Sequence, residues 1–174
     1  MNKHELTETL QTLDEKLSSS FDVVLIGGAA MILHFGASRA TRDIDVLVLR
    51  GDLAELRRAV RAIAHEVDLP EDWLSDAAKG FADILPPDFY HRLVPLTFPF
   101  QHLRLYALGL PEQVAIKIVA LREQDLEDLE LLLPQLSEKE KEVLLTIMYH
   151  VSRFRPDWAQ RMRYFLQEQG WEIA

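Results

Sequence analysis

Two aspartates one residue apart, Asp43 and Asp45, stand at the mouth of the apolar run Val46-Leu47-Val48-Leu49. An apolar run of that length reads as a buried strand, and buried strands rarely open on paired carboxylates. Side chains alternate across a strand, so Asp43, Asp45 and Leu47 point one way while Ile44, Val46 and Val48 point the other. Two carboxylates on one face repel, and one is driven toward protonation unless a cation lies between them. A hard divalent ion such as Mg²⁺ takes oxygen ligands, commonly one or two carboxylates together with substrate phosphates. A plainer reading stands beside this one. Asp43 caps a turn, and Asp45 pairs with Arg39 or Arg42.

Upstream, "FDVVLIGG" reads as a short buried strand running into Gly27-Gly28, and "AAMILHFG" as a helix closed by Gly36. Glycines at a strand-to-helix corner let backbone approach a ligand closely and turn N–H groups toward an anion. An ordinary tight turn would look the same. No Gly-Lys-Ser/Thr follows, so the corner is not a Walker loop, and "GGAAMILHFG" does not fit the dinucleotide pattern. The combination carries the weight: a phosphate-compatible corner, about fifteen residues, then a carboxylate pair on the neighbouring strand.

The rest of the chain supplies a scaffold for that pair. Leu6, Leu10, Leu13 and Leu17 recur at helical spacing over residues 4–17. Asp52 is placed to cap a helix over roughly 53–66, with Leu53, Leu56, Val60, Ile63 and Ala64 inward. Residues 67–88 are irregular, with a turn and one helical turn in "LPEDWLSDAAKGF" and a break at Pro86-Pro87. "FYHRLVPLTF" and "HLRLYAL" read as two strands. From Pro111 the pattern is helical throughout, with Ser137 and Glu140 forming a capping box. The order predicts an α/β (α+β) core over residues 1–109, including the N-terminal helix, and a helical part over 110–174 packed on it.

Composition narrows the chemistry. With 174 residues the chain buries a core without staples, and the absence of cysteine removes thiolate nucleophiles and zinc ribbons. A formal net charge of −9 argues against broad nucleic-acid binding but leaves room for a local basic site. Arg57, Arg58 and Arg61, and the group Arg153, Arg155, Arg161 and Arg163, read first as solvated helix faces. His34, His65, His91, His102 and His150 lack paired metal spacing. Trp73, Trp158 and Trp171 read as core or interface anchors, and no G-x-S-x-G element is present. The polar start "MNKHELTETL" and the lack of a ~20-residue apolar run predict a cytoplasmic protein without a membrane span.

"LIGGAAMILHFGASRATRDIDVLV" resembles the DNA polymerase β-type nucleotidyltransferase superfamily: an apolar residue, a glycine pair, about ten residues, then Asp-x-Asp. Gly-Gly-x-Ala followed by Arg-x-Thr-x-Asp-Ile-Asp is similar to the bacterial AbiEii-like toxins. "KIVALREQDLEDL" is similar to a downstream helix of that group through Lys117, Ala120, Arg122 and Asp125. Here the spacing from Ala120 to Arg122 is shorter, and Gln124 stands where lysine is usual. On residue chemistry alone, Gln113, Lys117 and Gln124 form one polar stripe with Lys117 snorkelling at a surface, and Asp125 is an N-cap with Asp128 completing a box-like start.

The resemblance implies a mixed-sheet nucleotidyltransferase fold, an NTP substrate and Mg²⁺ or Mn²⁺. Gly27 and Gly28 would then hold triphosphate, with Arg39 and Thr41 shaping the loop beside it. Asp43 and Asp45 would bind metal and serve as catalytic acids. Lys117 and Arg122 would reach the nucleotide, and Asp125 would join the catalytic group. The serine common at the second glycine in the wider superfamily is absent, which removes one hydroxyl contact. The acceptor would be an RNA, a protein or a small molecule, with an antitoxin protein as a partner in a toxin–antitoxin or phage-defence pair. A third carboxylate on a later strand is usual; "FYHRLVPLTF" and "HLRLYAL" hold none inside, and Asp83 and Asp88 only flank the first. The alternative is therefore a catalytically weak or inactive nucleotidyltransferase fold that acts as a nucleotide- or protein-binding module.

Overall fold

The computed structural model describes residues 1–76, 80 and 83–174. The chain divides into two compact units, one of Met1–Lys79 with Leu93–Leu108 and one of Gly80–Arg92 with Gly109–Ala174.

In the first unit the elements run α1 (Lys3–Lys16), β1 (Phe21–Ile26), α2 (Gly27–Leu33), β2 (Ile44–Arg50), α3 (Leu53–Val67), β3 (Leu74–Ser75), β4 (Val94–Leu96) and β5 (Leu103–Ala107). The five strands form one mixed sheet in the order β3-β2-β1-β5-β4. β1 is antiparallel to β2 and parallel to β5, β3 is parallel to β2, and β4 is antiparallel to β5. Central β1 is buried along almost its whole length, which is why "FDVVLI" shows no polar alternation. Leu6, Leu10 and Leu13 of α1 and Leu56, Val60 and Ile63 of α3 share one core cluster with Val23, Leu25, Ile44, Val46, Leu103 and Leu105 of the sheet. The α3 start is capped by the Asp52 carboxylate, which accepts from Ala54 N at 2.9 Å.

Asp14 ties α1 to the start of β5. Its carboxylate accepts from the backbone N–H groups of Gln101, His102 and Leu103 at 2.9, 2.7 and 2.8 Å. Burial pushes this carboxyl up, but the N–H donors of Leu103, Gln101 and His102 outweigh it and hold the group below its ordinary value.

Two expectations of the sequence reading are corrected. Phe89–Arg92 forms a 3₁₀ turn rather than strand, so "FYHRLVPLTF" contributes only Val94–Leu96 to the sheet. Residues 74–75, expected to be irregular, add a short edge strand beside β2. The expected helical turn in "LPEDWLSDAAKGF" falls partly on residues 77–79 and 81, outside the described residues.

The second unit is helical: α4 (Leu110–Ala120), α5 (Glu123–Leu132), α6 (Glu138–Ser152) and α7 (Pro156–Glu168). α4 is buried from Pro111 to Val119 and packs against the other three helices. Ser137 and Glu140 close the capping box at α6: Glu140 N donates to Ser137 Oγ, and Ser137 N donates to Glu140 Oε1, each at 3.1 Å. Among the described residues, no helix is long and apolar enough to cross a membrane.

Candidate active site

The antiparallel pairing of β1 with β2 brings the glycine corner to the aspartates. Ile26, the last residue of β1, is paired with Asp45 near the start of β2. Gly27 follows Ile26 at once, so the two sequence motifs meet at one end of the sheet. Ile44 and Val46 are buried, whereas Asp43 is exposed and Asp45 half-buried. Asp45 thus lies on the side of the strand that Ile44 and Val46 do not face, and Asp43 stands exposed just before the strand begins.

Gly27 has φ +66°, a conformation that L side chains rarely adopt, and a Cβ there would lie 3.6 Å from Asp45 Oδ2. Gly28 is constrained by space instead. A Cβ on residue 28 would stand 2.8 Å from Thr41 Oγ1, 3.2 Å from Thr41 Cβ and 3.3 Å from Arg39 Nη1. Only glycine lets the Arg39–Thr41 loop close against α2. Thr41 Oγ1 donates to Asp43 O at 3.2 Å. The loop is held from its other side by Met1: Met1 N donates to Thr41 O at 2.5 Å, and Thr41 N donates to Met1 O at 2.9 Å. Trp73, fully buried and bonded through Nε1 to Val60 O at 2.9 Å, places its carbonyl 2.7 Å from Ile44 N, between the two aspartates in sequence. The structure therefore gathers Gly27, Gly28, Arg39, Thr41 and Asp45, with Asp43 next in chain.

Lys117, Arg122 and Asp125 form a separate constellation in the helical unit. Lys117 is 2 % exposed, not snorkelling at a surface. Its Nζ contacts Asp125 Oδ1 at 2.8 Å and Asp128 Oδ2 at 2.7 Å. Asp125 stands in the first turn of α5, not at its N-cap, and its Oδ2 also accepts from Arg122 N at 2.9 Å and Arg122 Nε at 3.0 Å. Burial pushes the Asp125 carboxyl up. The Lys117 ammonium and the two Arg122 donors overcome that and hold it below its ordinary value. Asp128 is the residue the sequence reading undervalued. Its signal was the i, i+3 spacing from Asp125, which puts both acids on one face of α5.

A further buried acid, Glu112 of α4, was not anticipated. Arg92 Nε donates to its Oε1, while Asp88 takes the other face of the Arg92 guanidinium at 3.2 Å. Burial raises the Glu112 carboxyl, against the pull of Arg92. Neither β4 nor β5 carries a carboxylate, and among the described residues no three His, Cys, Asp or Glu side chains gather as a metal-binding group. The acids present still suit a hard cation: Asp45 at the start of β2 and Asp43 just before it are solvent-accessible oxygen donors beside a glycine corner.

A family model described as "Nucleotidyltransferase of unknown function (DUF6036)" matches residues 4–164. The chain belongs to this nucleotidyltransferase family. A crystal structure of an antigenic nucleotidyltransferase-like protein from Paracoccidioides brasiliensis superposes with a TM-score of 0.51 at 16% identity, covering 94% of each chain. At that identity the likeness speaks for the fold, and it agrees with the mixed α/β architecture expected from the sequence. No curated protein matches the chain.

Proposed function

We propose that this member of the family is a divalent-metal-dependent nucleotidyltransferase that transfers a nucleoside monophosphate from an NTP to an RNA, protein or small-molecule acceptor. The observation that carries this reading is the meeting of Gly27 with Asp45 Oδ2 across the Ile26–Asp45 pair. Glycine at 27 keeps a side chain away from Asp45, and glycine at 28 lets Arg39 bring positive charge against the corner, where triphosphate oxygens would lie. Asp43 and Asp45 would hold Mg²⁺ or Mn²⁺, which when bound supplies charge neutralisation for the phosphates.

In the reaction a bond forms between an acceptor oxygen and the α-phosphorus, and the α–β bridging bond breaks. Pyrophosphate leaves, and the acceptor proton passes to solvent. Lys117, Arg122 and Asp125 serve this chemistry by fixing the junction of α4 and α5. Within the proposal the chain is of AbiEii-like type, working as a toxin–antitoxin or phage-defence component with an antitoxin partner.

One observation favours a second reading. The absence of a three-acid group among the described residues suits a catalytically weak or inactive module that binds nucleotide or protein. Incubation with labelled NTPs, Mg²⁺ and separate cellular RNA and protein fractions tests both. Label transfer that disappears with Asp43→Asn/Asp45→Asn supports the enzyme. Calorimetry that shows metal-dependent NTP binding without any transfer supports the module.

A further inference from the structure

An open cavity of about 590 Å³ adjoins the glycine corner within the same unit. Asn2, Lys3 and His4 at the start of α1 form one wall, and Ile32 of α2 with Ser38 and Arg39 form the other. Ile32 lies four residues after Gly28, one turn further along the same face of α2. Arg39 belongs to both places. It lines the cavity, and its Nη1 lies 3.3 Å from the position of a residue-28 Cβ.

The chemistry of the lining reverses the sign of the chain. The whole protein carries −9, yet this cavity is lined by a lysine, an arginine, a histidine, an amide and a hydroxyl, with no carboxylate. Two acids of the neighbouring α1 turn reach lining groups from outside the cavity and engage Asn2 and His4, which leaves Lys3 and Arg39 as its cations. Glu5 Oε2 accepts from Asn2 N at 2.7 Å, and Glu8 Oε1 lies 3.1 Å from His4 Nε2. A volume of several hundred Å³ accommodates a phosphate with an attached sugar or nucleoside. A phosphorylated acceptor brought beside a bound triphosphate adds charge to charge, and a guanidinium at the border relieves that repulsion.

We propose that this cavity is the acceptor subsite and takes the phosphate-bearing end of the acceptor, with Lys3 and Arg39 as its anion contacts. The inference rests on the nucleotidyltransferase reading of the adjoining corner. Two sources share that chemistry, an RNA terminus and a free nucleotide.

The test titrates the full chain with three probes: a short oligoribonucleotide with a terminal phosphate, the same oligonucleotide with a terminal hydroxyl, and AMP. Mg²⁺–NTP binding is followed separately by calorimetry. The phosphorylated oligonucleotide is expected to bind about tenfold more tightly than its hydroxyl counterpart, and Lys3→Glu to remove that advantage while Mg²⁺–NTP affinity stays unchanged. Lys3 is exposed in the first turn of α1, so the substitution does not touch the core. AMP binding as tightly as the phosphorylated oligonucleotide identifies a free nucleotide as the source, and AMP binding at least about tenfold more weakly identifies an RNA end. Equal binding of the two oligonucleotides overturns the proposal. So does a Lys3→Glu variant that weakens Mg²⁺–NTP to the same degree, which assigns the cavity to the donor triphosphate. A protein that binds the phosphorylated probe but no Mg²⁺–NTP sinks the nucleotidyltransferase reading instead, leaving a phosphate site.

Discussion

The two constellations of charged residues in this chain are built in opposite ways. In the helical unit Lys117, Asp125 and Asp128 are each at most 3 % exposed, and the ammonium is bound by both acids. In the sheet unit Asp43 is exposed, Asp45 half-buried, and the nearest wall is a pair of glycines. The first arrangement satisfies itself, since charges removed from water must find partners inside the protein. The second keeps its acids near solvent, where an incoming cation and its phosphates can take them up. Burial with pairing locks the first cluster in place, whereas exposure beside glycines leaves the second within reach of solvent.

The comparison breaks most visibly at Lys117. Lys117→Ala leaves two buried carboxylates without their shared cation, and about 3–5 kcal/mol of stability is lost, read as a drop in the urea midpoint. Replacing all three residues with apolar ones of similar size is expected to restore most of that loss. If Lys117→Ala instead folds normally and abolishes NTP binding, the cluster is a nucleotide site and the contrast fails. The reverse pattern is expected at the other place. Asp43→Asn/Asp45→Asn lowers any transfer rate by about 10³-fold, and the urea midpoint hardly moves.

A smaller effect is expected at Asp14, which separates anchoring from catalysis within the sheet unit. Asp14→Asn weakens three N–H contacts at the start of β5 and costs about 2 kcal/mol by denaturant titration. Because the folded carboxyl is held below its unfolded value, its contribution is complete above the ordinary aspartate range and is lost as pH falls through the folded value. Acid unfolding of the wild type is therefore steeper than that of Asp14→Asn, checked by melting temperature against pH below about 4. The smallest change is expected for Arg122→Ala. That side chain is largely exposed, so its ion pair with Asp125 contributes about 0–1 kcal/mol, measured by the same titration.

Much of this was legible in the sequence for identifiable reasons. α1, α3 and α6 announce themselves through helical periodicity and side-chain caps, and β1 through an apolar run that ends in glycine. The meeting of Gly27 with Asp45 followed from strand alternation plus one pairing. The surface stripe expected at Lys117 fails because α4 is buried on all sides. A helix without a wet face gives no periodicity, so its buried polar residues look like a surface stripe. β3 has two residues and owes its existence to pairing with β2, which no local pattern encodes. The 3₁₀ turn at Phe89–Arg92 replaced an expected strand where the Arg92 guanidinium folds back onto Asp88. The turn is held by backbone bonds from Phe89 N to Pro86 O and from His91 N to Asp88 O, each at 3.0 Å, which aromatic side chains do not announce. The carbonyl of Trp73 beside Ile44 could not be foreseen, since it depends on a contact across 29 positions.

The Ile26–Asp45 pairing gives this protein an unusual sensitivity to odd and even. Removing one residue from β2 beyond Asp45 would set Asp45 and the rest of the strand on conflicting faces, whereas removing two would restore the original sidedness. Length changes in the stretch from Gly36 to Ser38 carry no such parity, because that stretch lies outside the ladder. The approach to the aspartates answers to packing on Gly28 and Met1, while the strand that bears Asp45 admits change only in steps of two.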